Sequence, residues 1–194
     1  KEKLFSNKKI LITGSNGFLG RNLIDELSDY SCQIHGIGVE DINKNNGINY
    51  HKCDIINKSK LKELILDIKP NYIFNLAAIV TAARKYSLTE KMIDLHIKTL
   101  YHFYEILESE DFLDLFINFG STEEYGDYKG KAFKEDFFEK SNSPYAVTKT
   151  AAVHLAYMLG CNEKFPIISV RPGVLFGKYQ EKNKFVQYVI KQLK

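Results

Sequence analysis

Tyr145 and Lys149 stand four residues apart in the run Ser143-Pro144-Tyr145-Ala146-Val147-Thr148-Lys149. On a helix that spacing puts both side chains on one face, where an ammonium stabilises a phenolate. Ser143 and Pro144 suit an N-cap and a first turn, so Tyr145 falls in the opening turn, beside the positive end of the helix dipole. Both effects draw the phenol below its unperturbed pKa of ~10. A tyrosine so placed gives and takes a proton near neutral pH. Far upstream, Thr13-Gly14-Ser15-Asn16-Gly17-Phe18-Leu19-Gly20 closes a short apolar run with the spacing G-x-x-G-x-x-G. Gly14 allows a tight turn, Gly17 lets a pyrophosphate approach the backbone, and Gly20 lets the following helix pack closely. Taken alone, such a turn also serves for packing without any ligand.

These residues need a scaffold, and the pattern predicts one. Lys9-Ile10-Leu11-Ile12-Thr13 reads as a strand and Phe18 to Leu27 as a helix, with apolar residues at 18, 19, 23, 24 and 27. Further strands are expected near 33–39, 48–52, 71–76, 114–119 and 166–171, and helices over 59–67, 88–108 and 144–159. Gly160 is expected to end the last of these helices. Alternating strands and helices joined by short connections predict an α/β fold, a parallel sheet covered on both faces. The segment 127–143 has no clear period and carries Phe133, Phe137 and Phe138. A long loop of this kind is expected over an active site.

The totals narrow the class. The chain has 194 residues, 44% of them apolar, enough for one ordinary domain with a core. Its net charge of +3 arises from 27 basic and 24 acidic residues that are interspersed, so neither nucleic acid nor an anionic membrane is an expected partner. Cys32, Cys53 and Cys161 are widely spaced, which argues against a disulfide framework and against a metal site. They are expected as small core residues in a reducing compartment. No run approaches the ~18 apolar residues of a membrane span, and no secretory leader is recognisable, so a cytoplasmic location is expected. Position 1 is Lys, and the amphipathic run from Phe185 to Leu193 reaches the end of the chain without a stop signal, so the sequence reads as cut at its C-terminus.

With Tyr145, Lys149 and the glycine turn in one chain, the sequence resembles the extended short-chain dehydrogenase/reductase family along essentially its whole length. The resemblance implies a Rossmann-type doubly wound sheet, strand order 3-2-1-4-5-6, with helices on both faces. It implies a cofactor and catalytic domain at 1–180, with 181–194 beginning a C-terminal substrate lobe. NAD or NADP is the implied cofactor, held by Gly14, Asn16, Gly17, Phe18, Leu19 and Gly20, by Leu76, Ala77 and Ala78 after the fourth strand, and by Pro172, Val174, Tyr145 and Lys149. Cys53-Asp54-Ile55 looks like an acid-plus-apolar pair that holds adenine, although Asp54 as a simple turn cap is the alternative. Gly38 occupies the usual place of a ribose-binding acid and leaves room for NADP. Glu40 follows Gly20 by 20 residues, and no arginine stands near, which together lean towards NAD.

The same resemblance assigns Ser121, Tyr145 and Lys149 as the catalytic set, in which Ser121 and Tyr145 hold the substrate oxygen during hydride transfer. The Ser-x-x-x-Tyr-Gly form at Ser121, and the run from Arg171 to Gly177, are similar to the branch acting on nucleotide-activated sugars, with Thr81, Ser121, Thr122 and Tyr145 on the substrate side. Glu123 matches the proton-abstracting glutamate of 4,6-dehydratases, but Thr122 stands where they carry an acid. Reduction of a 4-keto-6-deoxysugar nucleotide is therefore expected first, 4-epimerisation with tightly held NAD second, and 4,6-dehydration third. A non-catalytic cofactor-binding module is the reading from another class. His96 and Val174 depart from the family pattern, where asparagines are usual; His96 is expected as a hydrogen-bonded core residue rather than a proton relay. A homodimer through helices 88–108 and 144–159 is also implied.

Overall fold

The computed structural model describes residues 5–80, 86–127, 130, 132–182 and 184–193. Six parallel strands, β1 (Lys9–Thr13), β2 (Gln33–Gly38), β3 (Asn49–Lys52), β4 (Tyr72–Asn75), β5 (Leu115–Phe119) and β6 (Ile167–Val170), form one sheet in the order 3-2-1-4-5-6. Strand order reverses between β1 and β4, and their carboxyl ends therefore open a crevice at the centre of the sheet. This is the parallel sheet that the alternating pattern predicts, in the doubly wound Rossmann-type order that the family resemblance implies.

Side-chain alternation along β1 feeds two cores. Leu11 points to one face, packed with Ile37, Ile73 and Phe116 beneath α2 (Lys58–Ile68), α4 (Thr99–Leu107) and α5 (Pro144–Asn162). Ile10 and Ile12 point to the other, against Ile24 and Leu27 of α1 (Phe18–Leu27). All three are fully buried, as expected for a central parallel strand.

Two elements differ from the sequence pattern. The helical run 88–108 is not uniform: α3 (Thr89–Ile93) and α4 are joined by a π-helical turn, Asp94–Lys98, which carries His96 into the interior. Gly160 does not end α5, which continues to Asn162. A Cβ at Gly160 would make ordinary van der Waals contact with the Ile167 side chain at 3.4 Å, so the glycine sits inside the helix where it faces β6. A last helix, α6 (Phe185–Gln192), leaves Phe185 and Tyr188 exposed. No helix among the described residues is long and apolar enough to cross a membrane.

The cysteines divide by environment. Cys53 is buried and Cys32 half-buried, but Cys161 is exposed near the end of α5, so the core expectation fails for Cys161. Among the described residues no cluster of His, Cys, Asp and Glu is arranged to hold a metal ion.

Candidate active site

A transverse row of polar side chains crosses the sheet just inside the crevice. Thr13, Asn75, Asn118 and Ser169 stand in register on β1, β4, β5 and β6. The Thr13 hydroxyl donates to Asn75 Oδ1 at 2.9 Å and accepts from Ala77 N–H at 3.0 Å. Asn75 Nδ2 then reaches Asn118 Oδ1, and Asn118 Nδ2 reaches Ser169 Oγ, at 3.4 and 3.3 Å. Each buried group so finds a partner, which fixes the ends of four strands as one rigid floor. Asn118 was not distinguishable in the sequence, because only register places it beside Asn75.

On one side of that floor lies the glycine turn. Gly14 adopts φ +64°, and a Cβ on it would meet the Ala77 backbone at 3.0 to 3.1 Å. At Gly20 a Cβ would stand 2.5 Å from the Gly14 carbonyl, so α1 packs directly on the turn. Gly17 is the N-cap of α1, and no described side chain caps it. The N–H groups of this first turn, Phe18 and Leu19 among them, carry the positive end of the dipole and suit a pyrophosphate. Leu76, Ala77 and Ala78 are half-buried beside the turn. Asn16 is buried but faces outward from the turn, its amide bonded into the 40–45 loop.

The acid expected at the end of β2 is present, displaced by two residues. A Cβ at Gly38 would lie 2.8 Å from Glu40 Oε2, so the Glu40 carboxylate folds back over the glycine. Asp54 is exposed, with Oδ1 accepting from Ile56 N–H at 3.0 Å, and Ile55 is buried beside it. The turn-capping role of Asp54 is thus present in the structure.

Opposite the glycine turn, α5 begins as the sequence predicts. Ser143 accepts the N–H of Ala146 at 3.1 Å and Pro144 fills the first turn. Tyr145 lies beside Ser121, the N-cap of a short 3₁₀ turn, Thr122–Tyr125, that follows β5. Lys149 is buried, and its Nζ donates to the Phe119 carbonyl at 2.6 Å. Burial holds its ammonium down to about 8, offset in part by Glu124. The expectation for Tyr145 is reversed: burial first, then the Glu123 carboxylate, push its phenol up to about 12, and the neighbouring Ser121 hydroxyl only moderates the rise. Its ring centroid lies 6.0 Å from Lys149 Nζ, whose nearest charge acceptor is elsewhere. Glu123 itself is exposed.

The backbone of Ser121 is held by Glu124, whose role the sequence pattern did not assign. Glu124, fully buried, accepts the Ser121 N–H at 2.6 Å and the Arg171 Nε at 2.7 Å. Arg171 extends the network to Tyr125 Oη at 2.9 Å and Glu139 Oε1 at 2.5 Å. Burial raises the Glu124 carboxyl and Arg171 opposes it. Through Glu139, and through Lys140 N–H to the Glu124 carbonyl, the 127–143 loop is anchored behind the catalytic corner. A concavity of about 1180 Å³ lies on that rear side, along β6 and α5.

The segment after β6 spans the crevice. Pro172 accepts the Thr122 N–H at 3.2 Å, and farther on Lys178 and Tyr179 bond Asp25 of α1 at 2.7 and 2.9 Å. Val174, midway, is 88% exposed, so the structure does not bring it against the site. Thr81 lies outside the described residues.

His96 closes the site from behind. Its Nε2 accepts the Ile79 N–H at 3.3 Å, which leaves the ring proton on Nδ1 to meet Thr148 Oγ1 at 2.9 Å. Thr148 in turn donates towards the Pro144 and Tyr145 carbonyls, at 2.9 and 3.0 Å. Burial, and then Lys149, press the His96 pKa down to about 3. The imidazole is therefore a neutral brace between the β4 exit and the helix that carries Tyr145.

A glycine turn and a Ser, Tyr, Lys corner facing each other across the switch point of a doubly wound sheet define a short-chain dehydrogenase/reductase domain. The chain belongs to the NAD dependent epimerase/dehydratase family, whose sequence profile it matches over residues 10–194. It is similar to a dTDP-D-glucose 4,6-dehydratase of Dictyostelium discoideum, 25% identical over all of this chain and 49% of that protein. It also resembles Protein CapI of Staphylococcus aureus, 26% identical over 88% of this chain and 55% of that protein. Among solved structures, UDP-glucuronic acid 4-epimerase from Bacillus cereus in complex with NAD superposes with a TM-score of 0.82 at 27% identity, covering 95% of this chain and 62% of that one. The chain thus spans about half to three fifths of the length of these relatives.

Proposed function

We propose that this chain is the cofactor-binding and catalytic part of an NAD-dependent enzyme that acts at C4 of a nucleotide-activated sugar by a redox-neutral route, 4-epimerisation ahead of 4,6-dehydration. The observation that carries this reading is the convergence of Ser121, Tyr145 and Lys149 at the carboxyl end of β5, opposite the Gly14 turn. The site residues fit the dinucleotide: Gly14 and Gly20 have no room for a Cβ, the first turn of α1 offers N–H groups to phosphate, and Glu40 offers a carboxylate to a ribose. NAD, when bound, supplies the hydride acceptor and a positive charge near the phenol.

The protein's own groups then have distinct tasks. Without cofactor the buried phenol of Tyr145 is protonated; the positive charge of bound NAD would favour its phenolate, which would accept a hydrogen bond from the sugar C4 hydroxyl, with Ser121 sharing that oxygen. As hydride leaves C4 for the nicotinamide and the C4 oxygen becomes a carbonyl, the hydroxyl proton would pass to this phenolate, whose charge the nearby Lys149 ammonium favours before the transfer. Epimerisation requires only this exchange and its reversal on the other sugar face. Dehydration additionally requires a base at C5 and an acid at the C6 oxygen. Glu123 could act as the base, but Thr122 is no acid, which favours epimerisation. Net reduction of a 4-keto sugar uses the same set, but the relatives named above lend it no support.

Residues 1–180 on this reading form the cofactor and catalytic domain, and 181–194 open a substrate lobe. The exposed Tyr101 on α4 and Val147 and Met158 on α5 suit a homodimer formed through these helices. Light scattering that finds only monomer overturns the dimer. The function is tested by giving the full-length protein UDP-, dTDP-, CDP- and GDP-sugars and following products and nicotinamide absorbance together. An isomerised or dehydrated sugar without net cofactor change is expected, and Tyr145→Phe abolishes it. Net consumption of reduced cofactor on 4-keto sugars would restore the reductase reading, and full turnover by Tyr145→Phe would remove the catalytic assignment.

A further inference from the structure

Gly38 ends β2 without a side chain, and two groups converge on the space above it. A Cβ there would stand 2.6 Å from Tyr50 Oη and 2.8 Å from Glu40 Oε2. Tyr50, on β3, crosses the end of β2 and donates its hydroxyl to the Glu40 carbonyl at 2.8 Å. Asn16, in the middle of the glycine turn, directs its Nδ2 to Ile42 O at 2.9 Å, to Tyr50 Oη at 3.3 Å and to Glu40 Oε2 at 3.4 Å. Its Oδ1 accepts from Lys44 N–H at 2.9 Å and from Asn45 Nδ2 at 3.3 Å. One buried amide thereby ties the loop carrying Glu40 to the turn that would cradle pyrophosphate.

We propose that Tyr50 and Asn16 are positioning residues that hold the Glu40 carboxylate over Gly38, making the site select a dinucleotide with a free ribose 2′-hydroxyl against one with a 2′-phosphate. The inference rests on the dinucleotide reading above. A carboxylate in a fixed place accepts hydrogen bonds from a ribose diol and repels a phosphate dianion. A carboxylate on a loose loop does neither well, because it swings into water when a phosphate enters. The Lys44 ammonium, 3.7 Å from Glu40 Oε1, forms an exposed pair and does little to cancel that charge. Burial, with Glu40 and Asp41, raises the Tyr50 phenol, so it remains a protonated donor through the working range. The glycine at position 38 follows from this arrangement: any side chain there would displace both the phenol and the carboxylate.

The test is direct binding of NADH and NADPH to the full-length protein, by nicotinamide fluorescence and by calorimetry, with folding checked by circular dichroism. The wild type is expected to prefer NADH by about tenfold or more, a difference on the scale of charge repulsion at one contact. Glu40→Gln closes most of that gap. Tyr50→Phe, which removes only the hydroxyl, and Asn16→Ala each narrow it by roughly threefold or more, the weight of one hydrogen bond. A merely structural role would weaken both dinucleotides alike and leave their ratio untouched, and that outcome overturns the proposal. Equal affinity of the wild type for both dinucleotides removes Glu40 as selector while keeping the dinucleotide reading. Failure to bind either removes the dinucleotide reading itself.

Discussion

Lys149 sends its ammonium to the carbonyl of Phe119, 2.6 Å away, and not to the phenol of Tyr145. A backbone acceptor at the end of β5 thus fixes the lysine, and the phenol remains free to face the crevice. Burial nevertheless lowers the Lys149 pKa from 10.5 to about 8, so between these values the unfolded chain holds a proton that the folded one has released. Stability therefore rises with pH across that window. The buried charge costs up to about 3 kcal/mol at neutral pH, at ~1.4 kcal/mol per pKa unit. Melting temperatures of wild type and Lys149→Met should accordingly converge in favour of the wild type as pH rises from about 8 towards 10. A difference that stays constant over that range would contradict the depressed lysine.

His96 makes the opposite prediction at acid pH. Its folded pKa of about 3 lies below the ordinary 6.5, so the neutral ring contributes stability that is complete above 6.5 and is lost as pH falls towards 3. At pH 5 the loss amounts to about 2 kcal/mol. His96→Asn should shrink the drop in melting temperature between pH 7 and pH 5. It should also leave the pH profile of turnover without any lost limb in the histidine range. Disappearance of such a limb would make His96 a proton relay after all.

The Glu124 and Arg171 pair bears on folding more than on chemistry. Glu124 is fully buried, and Arg171→Met leaves its carboxylate without a cation. Breaking a buried pair from one side costs about 3–5 kcal/mol. Urea unfolding should show that loss for Arg171→Met. The double variant Glu124→Val with Arg171→Met should recover most of it, because two apolar groups leave no buried charge. A double variant as unstable as the single one would show that Tyr125 and Glu139, rather than Glu124, carry the contribution of Arg171.

Local rules made much of the architecture legible. The caps at Ser143 and Pro144, the continuous apolar run of β1 and the glycine turn all lie within a few residues of their causes. The same rules failed where the cause was distant. Gly160 looked like a helix stop, yet α5 runs through it to Asn162 as it packs along β6. The helix 88–108 looked uniform, yet it inserts a π-turn that buries His96. Cys161 looked like core material, yet α5 presents it to water. Asn16 looked only like part of the cofactor-binding glycine turn, and its side-chain amide also ties the 40–45 loop to that turn.

The α/β class, the parallel sheet and the placing of Tyr145 and Lys149 on one helix face were legible in the sequence, because periodicity, capping and glycine spacing act through neighbouring backbone. Strand order and the role of Ser121 came instead from the family resemblance. The protonation of that site was decided only by tertiary structure. Whether a phenol rises or falls depends on its burial and on carboxylates brought by other segments, and Glu123, Glu124 and Phe119 meet Tyr145 and Lys149 only after β5 and α5 pack together.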